Sequence, residues 1–338
     1  MKPEVLEPAG ASAHPTARAL LLLALVFVVA LGVGPLGVLP SVGPGAVAPG
    51  GGTDWAVVTQ LRLPRALAAM LVGAALAGSG AALQAVFRNP LAAPDILGVS
   101  SGAALGAGLA IWSGVPGWGV QAFAFAGALS AVALVALFAR VMRSHEPTPT
   151  LILCGIAIAA LLSAALALVT SLADPARQLP AITYWLLGSL GGATHGELGI
   201  AASLIGVGLA GLWLLRWRVD ALLLPDDEAS ALGHEPARLR LLTIAAASLA
   251  ASAAVALTGL IGWVGLLLPH AARLIAGATF ARAFPLACAG GALFLLSIDA
   301  AGRALSPVEV PPGVGTALVG VPLLLWLLAR SNRQGAGS

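Results

Sequence analysis

Apolar residues fill this chain in long runs, and polar residues are confined to the short gaps between them. Of its 338 residues, 59% are hydrophobic and 9% are charged. A membrane-spanning helix needs about 20 apolar residues, and a water-soluble domain of this size could not bury so much apolar surface. The pattern predicts an all-α polytopic membrane protein with about ten transmembrane helices in one compact bundle. The apolar runs cover 18–39, 66–86, 96–113, 119–141, 150–172, 195–215, 241–262, 264–276, 284–302 and 313–329.

The positive charges lie in the gaps, and their distribution predicts the orientation of the chain. Cytoplasmic loops of membrane proteins are enriched in Lys and Arg. With a cytoplasmic N-terminus, thirteen of the seventeen Lys and Arg residues fall inside and four outside. We therefore expect both termini in the cytoplasm. The outside residues are Arg62, Arg65, Arg177 and Arg303.

The chain is expected to form one membrane domain with short tails. The domain spans 18–330, between cytoplasmic tails over 1–17 and 331–338. Its first run, 18–39, is too long for a signal-peptide core and is read as a retained helix. Gly, Ala and Ser are frequent within the runs, as in LVGAALAGSGAALQ over 71–84, which predicts closely packed helices.

The segment 216–240 is the long polar stretch on the inside and carries both signs of charge. Pro225 and Asp226 are typical of a helix start, and Gly233 is typical of a helix stop. A helix this short is marginal alone, so it either packs against something, as a docking helix for a cytoplasmic partner would, or is an ordinary solvated loop.

Several classes of function fit the residues poorly. Lys2 is the single lysine, so the chain cannot carry a P-loop, and any ATP would be hydrolysed by another subunit. No motif of a zinc or other metal site occurs, and the formal charge of +3 is too small to suggest nucleic acid. A proton-coupled secondary transporter remains the alternative. Of the acids, Asp299 alone lies deep in an apolar run, at the right spacing to pair with Arg303.

Four strings, in order along the chain, carry a resemblance to a known family. They are RLPRALAAMLVGAALAGSGAALQAVFRNPLAAPDILGVSSGAALGA from Arg62, EASALG from Glu228, GLIGWVGLLLPHAARLIAG from Gly259 and LSIDAAGRALSPVEVPPGVGTALVGVPLLLWLL from Leu296. They resemble the FecCD family, the membrane permeases of type II ABC importers for iron–siderophores, haem and cobalamin.

The resemblance implies a permease in a bacterial or archaeal cytoplasmic (inner) membrane, surrounded by lipid and working as a homodimer. Two cytoplasmic ATP-binding subunits would bind ATP and Mg, and a periplasmic or lipid-anchored solute-binding protein would deliver the cargo. The chain itself would hold no cofactor, no metal and no catalytic site, and would bind no nucleic acid. The expected cargo is an iron chelate, siderophore or haem, with cobalamin or an oxyanion such as molybdate as alternatives.

The resemblance also implies roles for individual residues at the two ends of the helices. Outside arginines would hold glutamates of the binding protein, although arginines at a helix end can also simply snorkel to the membrane interface. These docking residues are Arg62, Arg65 and Arg303. The residues expected to contact the ATPase are Glu228, Ala229, Leu232 and Gly233.

The expected translocation path is lined by small or polar side chains. Its candidates are Ser100, Ser101, Thr170, Ser171 and Gln84. All five could equally form hydrogen bonds between helices.

Overall fold

The computed structural model describes residues 58–142, 147–192, 194–306 and 309–335. The expected first helix, 18–39, and the N-terminal tail lie outside the described residues. The described ranges contain eleven α-helices and no strand, which confirms the all-α prediction. The helices are α1 Leu63–Val86, α2 Val99–Trp112, α3 Gly117–Val141, α4 Pro147–Leu172, α5 Gln178–Leu187, α6 His195–Val219, α7 Asp226–Ala231, α8 Pro236–Thr258, α9 Val264–Ala276, α10 Phe280–Leu305 and α11 Pro312–Gly335.

Nine of these helices coincide with the nine apolar runs predicted after 18–39. Six are long and apolar enough to cross a membrane, namely α1, α3, α4, α6, α8 and α10. Helices α2 and α9 are shorter and apolar, as is the stretch Pro312–Leu327 of α11. The two remaining helices, α5 and α7, are short pieces at the ends of the bundle.

Helix α1 lies at the centre of the bundle. Of its most apolar stretch, 78% is buried, against 17% for α4 at the periphery. Close approach explains this burial, because a Cβ added to Gly73 would lie 2.2 Å from the carbonyl oxygen of Gly291 in α10. Small residues let helix backbones meet in lipid, where no hydrophobic force drives them together. The predicted tight packing is thus present at the α1–α10 contact.

Candidate functional site

Arg65 is held between two carboxylates at the start of α1. Its Nε donates to Asp299 Oδ1 at 2.9 Å, and its Nη2 lies 3.0 Å from Glu309 Oε1. Arg303 donates from Nε to the other oxygen of Asp299, also at 3.0 Å. The predicted pair of Asp299 and Arg303, one helical turn apart, is therefore present, and it is joined by an arginine from a different helix.

Glu309 extends this network to α5. The hydroxyl of Tyr184 donates to Glu309 Oε2 at 2.8 Å, and Ser189 donates to Oε1 at 3.0 Å. Partial burial alone would raise the pKa of Glu309, but the hydrogen bond from Tyr184 and the charge of Arg65 outweigh it and hold the pKa below its usual value. We call the group of Arg65, Asp299, Arg303, Glu309 and Tyr184 the rim network. It ties α1, α5, α10 and the segment before α11 together.

The three arginines expected to dock a partner stand differently in this arrangement. Arg65 and Arg303 are both engaged by Asp299, whose side chain is 1% exposed. Arg62 is half-buried and close enough to Arg303 for the two positive charges to repel each other. The two arginines and two carboxylates of the rim network balance, and Arg62 places a further positive charge beside them.

At the opposite end of α1, Asp226 accepts hydrogen bonds from two arginines. Arg240 Nη2 lies 2.9 and 3.0 Å from its two carboxylate oxygens, and Arg88 Nη2 lies 2.9 Å from Oδ1. Partial burial opposes ionisation, but the hydrogen bonds and charges of Arg240 and Arg88 hold the pKa of Asp226 below its usual value. We call these three residues the inner cluster. It fixes the first residue of α7 to the end of α1 and to α8.

Arg88 adopts an uncommon backbone conformation where it contacts the segment that contains Asp226. Arg88 has φ +48°, a left-handed conformation that is uncommon for a residue other than glycine. In that conformation its Nε donates to the carbonyl of Leu222 at 2.7 Å, and its Nη2 donates to the carbonyl of Leu224. Nearby, Asp220 accepts from the backbone N–H of Phe280 at 2.5 Å and so caps the start of α10. The segment between α6 and α8 is therefore tied to both α1 and α10.

The four residues expected to contact an ATPase divide into buried and exposed. Ala229 is 1% exposed and packs into the chain's own core. Glu228 is exposed, and Leu232 is 66% exposed, one residue beyond the end of α7. Gly233 follows at φ +83°, which agrees with the predicted stop. Leu232 does not share the buried side of Ala229, because α7 ends at Ala231 and Leu232 turns outward.

The five path candidates all have hydrogen-bond partners, most of them local. Thr170 and Ser171 donate to carbonyls three residues earlier in α4, at 2.9 and 2.8 Å. Ser100 donates to Asp95, and the Ser101 hydroxyl lies 3.5 Å from that of Ser163 in α4. Thr170 and Ser171 are bonded within their own helix and can still face a path, whereas Ser101 meets a hydroxyl of a neighbouring helix.

Gln84 is the most buried of the path candidates, at 3% exposure. Its Nε2 donates to the carbonyl of Leu266 at 3.2 Å, and its oxygen accepts from Arg273, which joins α1 to α9. It also borders a cavity of about 250 Å³ that Arg88 and Asn89 line. Among the described residues, no three His, Cys, Asp or Glu side chains gather as a metal site requires.

Comparison with known proteins decides the family. The sequence model of the FecCD transport family matches residues 20–330. The chain belongs to the FecCD transport family. The resemblance seen in the sequence motifs is thereby confirmed, and with six helices apolar enough to span a bilayer the chain is a multi-pass membrane protein.

Two relatives and one solved structure illustrate what this FecCD chain is similar to. An iron chelatin transport system permease protein of Helicobacter pylori is 39% identical over 276 residues, covering 82% of this chain and 83% of the relative. A cobalamin import system permease protein of Halobacterium salinarum is 42% identical over 279 residues, covering 82% and 74%. The structure of a metal-chelate type ABC transporter in an inward-facing conformation superposes with a TM-score of 0.83 at 35% identity, covering 93% of this chain and 98% of that one.

Sequence reasoning missed Glu309, Tyr184 and Arg88 as members of these sites. Glu309 meets Arg65 across 244 positions, and Arg88 meets Asp226 across 138. No periodicity or local spacing links residues so far apart. An arginine directly after an apolar helix was the available signal for Arg88, and it reads equally well as an inside charge.

Proposed function

We propose that this chain is the permease subunit of an ABC importer that carries an iron chelate, siderophore or haem, inward. It works as a pair of copies with two cytoplasmic ATP-binding subunits and a periplasmic or lipid-anchored solute-binding protein. The membrane is the inner membrane of a bacterium or archaeon, with both chain termini in the cytoplasm. The observation that carries the proposal is membership of the FecCD family together with the 0.83 TM-score to a metal-chelate type ABC transporter.

The exposed part of the α7 region provides the contact to the ATP-binding subunit. Glu228, Leu232 and Gly233 face outward beside a helix that the inner cluster anchors, and Ala229 serves as the anchor on the buried side. A short helix fixed in this way moves as a rigid body when its partner moves. The chain has a single lysine, Lys2, and so carries no P-loop, and the energy comes from the partner.

Arg62, Arg65 and Arg303 form the docking surface for the solute-binding protein. Arginine suits this role because its planar group stays charged and can grip a carboxylate with two bonds. Since Asp299 and Glu309 already engage Arg65, a carboxylate from the partner competes with them there, whereas Arg62 lies beside the rim network and adds a positive charge next to Arg303. Ser100, Ser101, Thr170, Ser171 and Gln84 line the path.

Reconstitution tests the proposal directly. The chain is placed in proteoliposomes with its ATP-binding subunits and solute-binding protein, and uptake of an iron–siderophore complex is measured. We expect uptake only with ATP and both partners. Uptake driven by a pH gradient without nucleotide would instead support a proton-coupled secondary transporter, and ATP hydrolysis by the chain alone would contradict a passive permease.

Charge reversal tests the docking surface. Arg62→Glu should weaken capture of the solute-binding protein while leaving assembly with the ATP-binding subunits intact. The matched control is Arg177→Glu, an exposed arginine also predicted outside but without a docking motif. If both variants capture the solute-binding protein equally well, Arg62 only snorkels to the membrane interface.

The cargo has a second candidate, cobalamin. The relative from Halobacterium salinarum, named for cobalamin import, is 42% identical to this chain, against 39% for the iron chelatin relative. Competition for uptake separates them: excess cobalamin or molybdate should leave iron-chelate uptake unchanged if the iron assignment is correct.

A further inference from the structure

A polar pocket opens between the end of α6 and the start of α8, beside the segment that follows α7. Its volume is about 420 Å³. Arg218, Arg238, His234 and Glu235 supply its polar wall. Leucines line the other wall. Gly233, one of the residues expected to contact the ATPase, also lines the pocket, but neither arginine belongs to that set or to the inner cluster.

The two arginines of the pocket keep their hydrogen-bonding groups available. Arg218 is exposed, and within the described ranges it has no hydrogen bond or ion pair. Arg238 lies 3.9 Å from Glu235, and both side chains are about three-quarters exposed at 74% and 75%. Such an exposed pair contributes little, so Arg238 can turn to another anion. By contrast, Arg240 is 7% exposed and bonded to Asp226.

The apolar wall is formed by leucines of two helices. Leu215, Leu239 and Leu242 line it, and Leu214 beside them is 77% exposed. These residues belong to α6 and α8, which are both apolar enough to span the membrane. The pocket therefore has one cationic wall and one apolar wall.

Aromatic residues locate the membrane boundary at the same level. The guanidinium of Arg216 lies 4.0 Å from the ring centre of Trp213 and 5.1 Å from that of Trp217. Tryptophan is enriched at the level of lipid head groups, and arginine snorkels to the same level. Arg218 follows Trp217 directly in sequence, so we expect the pocket at the level of lipid phosphates.

We propose that this pocket binds an anionic phospholipid, with the phosphate between Arg218 and Arg238 and an acyl chain along Leu215 and Leu242. Basic pockets between membrane helices on the cytoplasmic side recognise such head groups. The leucine wall favours a lipid over free phosphate, because free phosphate would use the arginines alone. Glu235 accommodates the anion by turning outward. The proposal depends on the chain's lying in a bilayer and is independent of cargo or ATP.

Lipid retention tests the proposal on the full-length chain. The protein is reconstituted in nanodiscs of phosphatidylcholine with added phosphatidylglycerol, extracted into detergent and analysed by native mass spectrometry. We expect phosphatidylglycerol to be retained preferentially. The double variant Arg218→Gln, Arg238→Gln should bind it about 25-fold more weakly, at roughly fivefold for each arginine.

A matched control separates the pocket from general surface charge. Arg140→Gln, Arg282→Gln removes two other exposed arginines from the side predicted to be inside and should retain the lipid as the wild type does. Equal loss in both double variants, or no preference in the wild type, would overturn the pocket. The double variant Arg218→Lys, Arg238→Lys keeps the charge and should retain most of the binding. That result would show that the glutamine variant loses the lipid because its charge is lost and not because it misfolds.

Two further outcomes would assign the pocket to another occupant. If inorganic phosphate displaces phosphatidylglycerol at comparable concentration, the site recognises a free anion and the lipid assignment is wrong. If the lipid is lost whenever the ATP-binding subunit is co-purified, protein covers the pocket in the assembly, which also overturns the proposal. Retention in both conditions supports a lipid site.

Discussion

Replacing Asp226 by asparagine removes one negative charge from between two arginines while keeping the shape of the side chain. In the wild type, Arg240 contacts both carboxylate oxygens and Arg88 contacts one. The asparagine keeps one oxygen acceptor but no charge. Arg240, which is 7% exposed, is then left without a counter-ion in its contact. We expect α7 to detach locally from α1 and α8 more often.

The free energy lost in Asp226→Asn follows from how exposed the side chain of each arginine is. The contact to Arg240 involves a nearly buried guanidinium and should contribute about 1.5 kcal/mol. The contact to Arg88, whose side chain is 37% exposed, should contribute at most about 0.5 kcal/mol. Because 41% of the Asp226 side chain is exposed, solvent screens both contacts, and these values already include that discount. The loss is about 2 kcal/mol, or roughly thirtyfold in the local opening equilibrium.

Hydrogen exchange measures this opening without requiring global unfolding. The amides of Ala229, Leu232 and His234 donate to carbonyls within the α7 segment at 2.9, 3.1 and 3.1 Å. Their exchange should accelerate about thirtyfold in Asp226→Asn, while amides in the middle of α1 keep their rates. The matched control is Asp227→Asn, the next residue, which is exposed and has no ion pair among the described residues. Equal acceleration in the two variants would refute the reasoning.

Three further predictions concern other contacts. The pKa of Asp226 is held below its usual value, so protection of the α7 amides from exchange should depend on pH. Protection should be complete above the ordinary aspartate pKa of about 3.9 and should be lost as the pH falls through the lower pKa of the folded state. Asp226→Asn should remove this pH dependence in the same exchange experiment. Gly73→Ala places a methyl carbon 2.2 Å from a backbone oxygen of α10 and should lower the thermal midpoint, whereas Gly206→Ala, with no atom within 4 Å, should not. Tyr184→Phe removes a 2.8 Å hydrogen bond to Glu309 and should speed exchange in α5 about tenfold; unchanged exchange would show that Glu309 does not hold α5.

The positions of the helices could be predicted because hydropathy is a local property. A run of apolar residues must form its backbone hydrogen bonds internally in lipid, so each run becomes a helix whatever its neighbours are. The pairing of Asp299 with Arg303 could be predicted for the same reason, since four residues span one helical turn. The family could be recognised because its motifs lie within continuous segments.

The partners across the bundle could not be predicted, because they depend on which helices pack together. Nothing near Arg65 in sequence indicates that Glu309 will lie 3.0 Å away. The orientation of Leu232 was also beyond local reasoning: Gly233 predicted the helix stop, but α7 already ends at Ala231. Single-residue differences at helix ends decide which side chain is buried, and sequence patterns define those ends poorly.

The rim network and the inner cluster lie at opposite ends of α1 and α10, and this arrangement constrains how the bundle can move. Helix α1 has Arg65 of the rim network near its start, and Arg88 of the inner cluster follows its end. Helix α10 starts at the cap from Asp220 and carries Asp299 near its end. Between these ends the two backbones touch at Gly73, where even a methyl group does not fit. A displacement of the α7 segment therefore cannot be absorbed by sliding side chains between α1 and α10, since packed contacts of this kind transmit strain. It must either move both helices together, and with them the rim network, or break one of the ion pairs that join the segment to them.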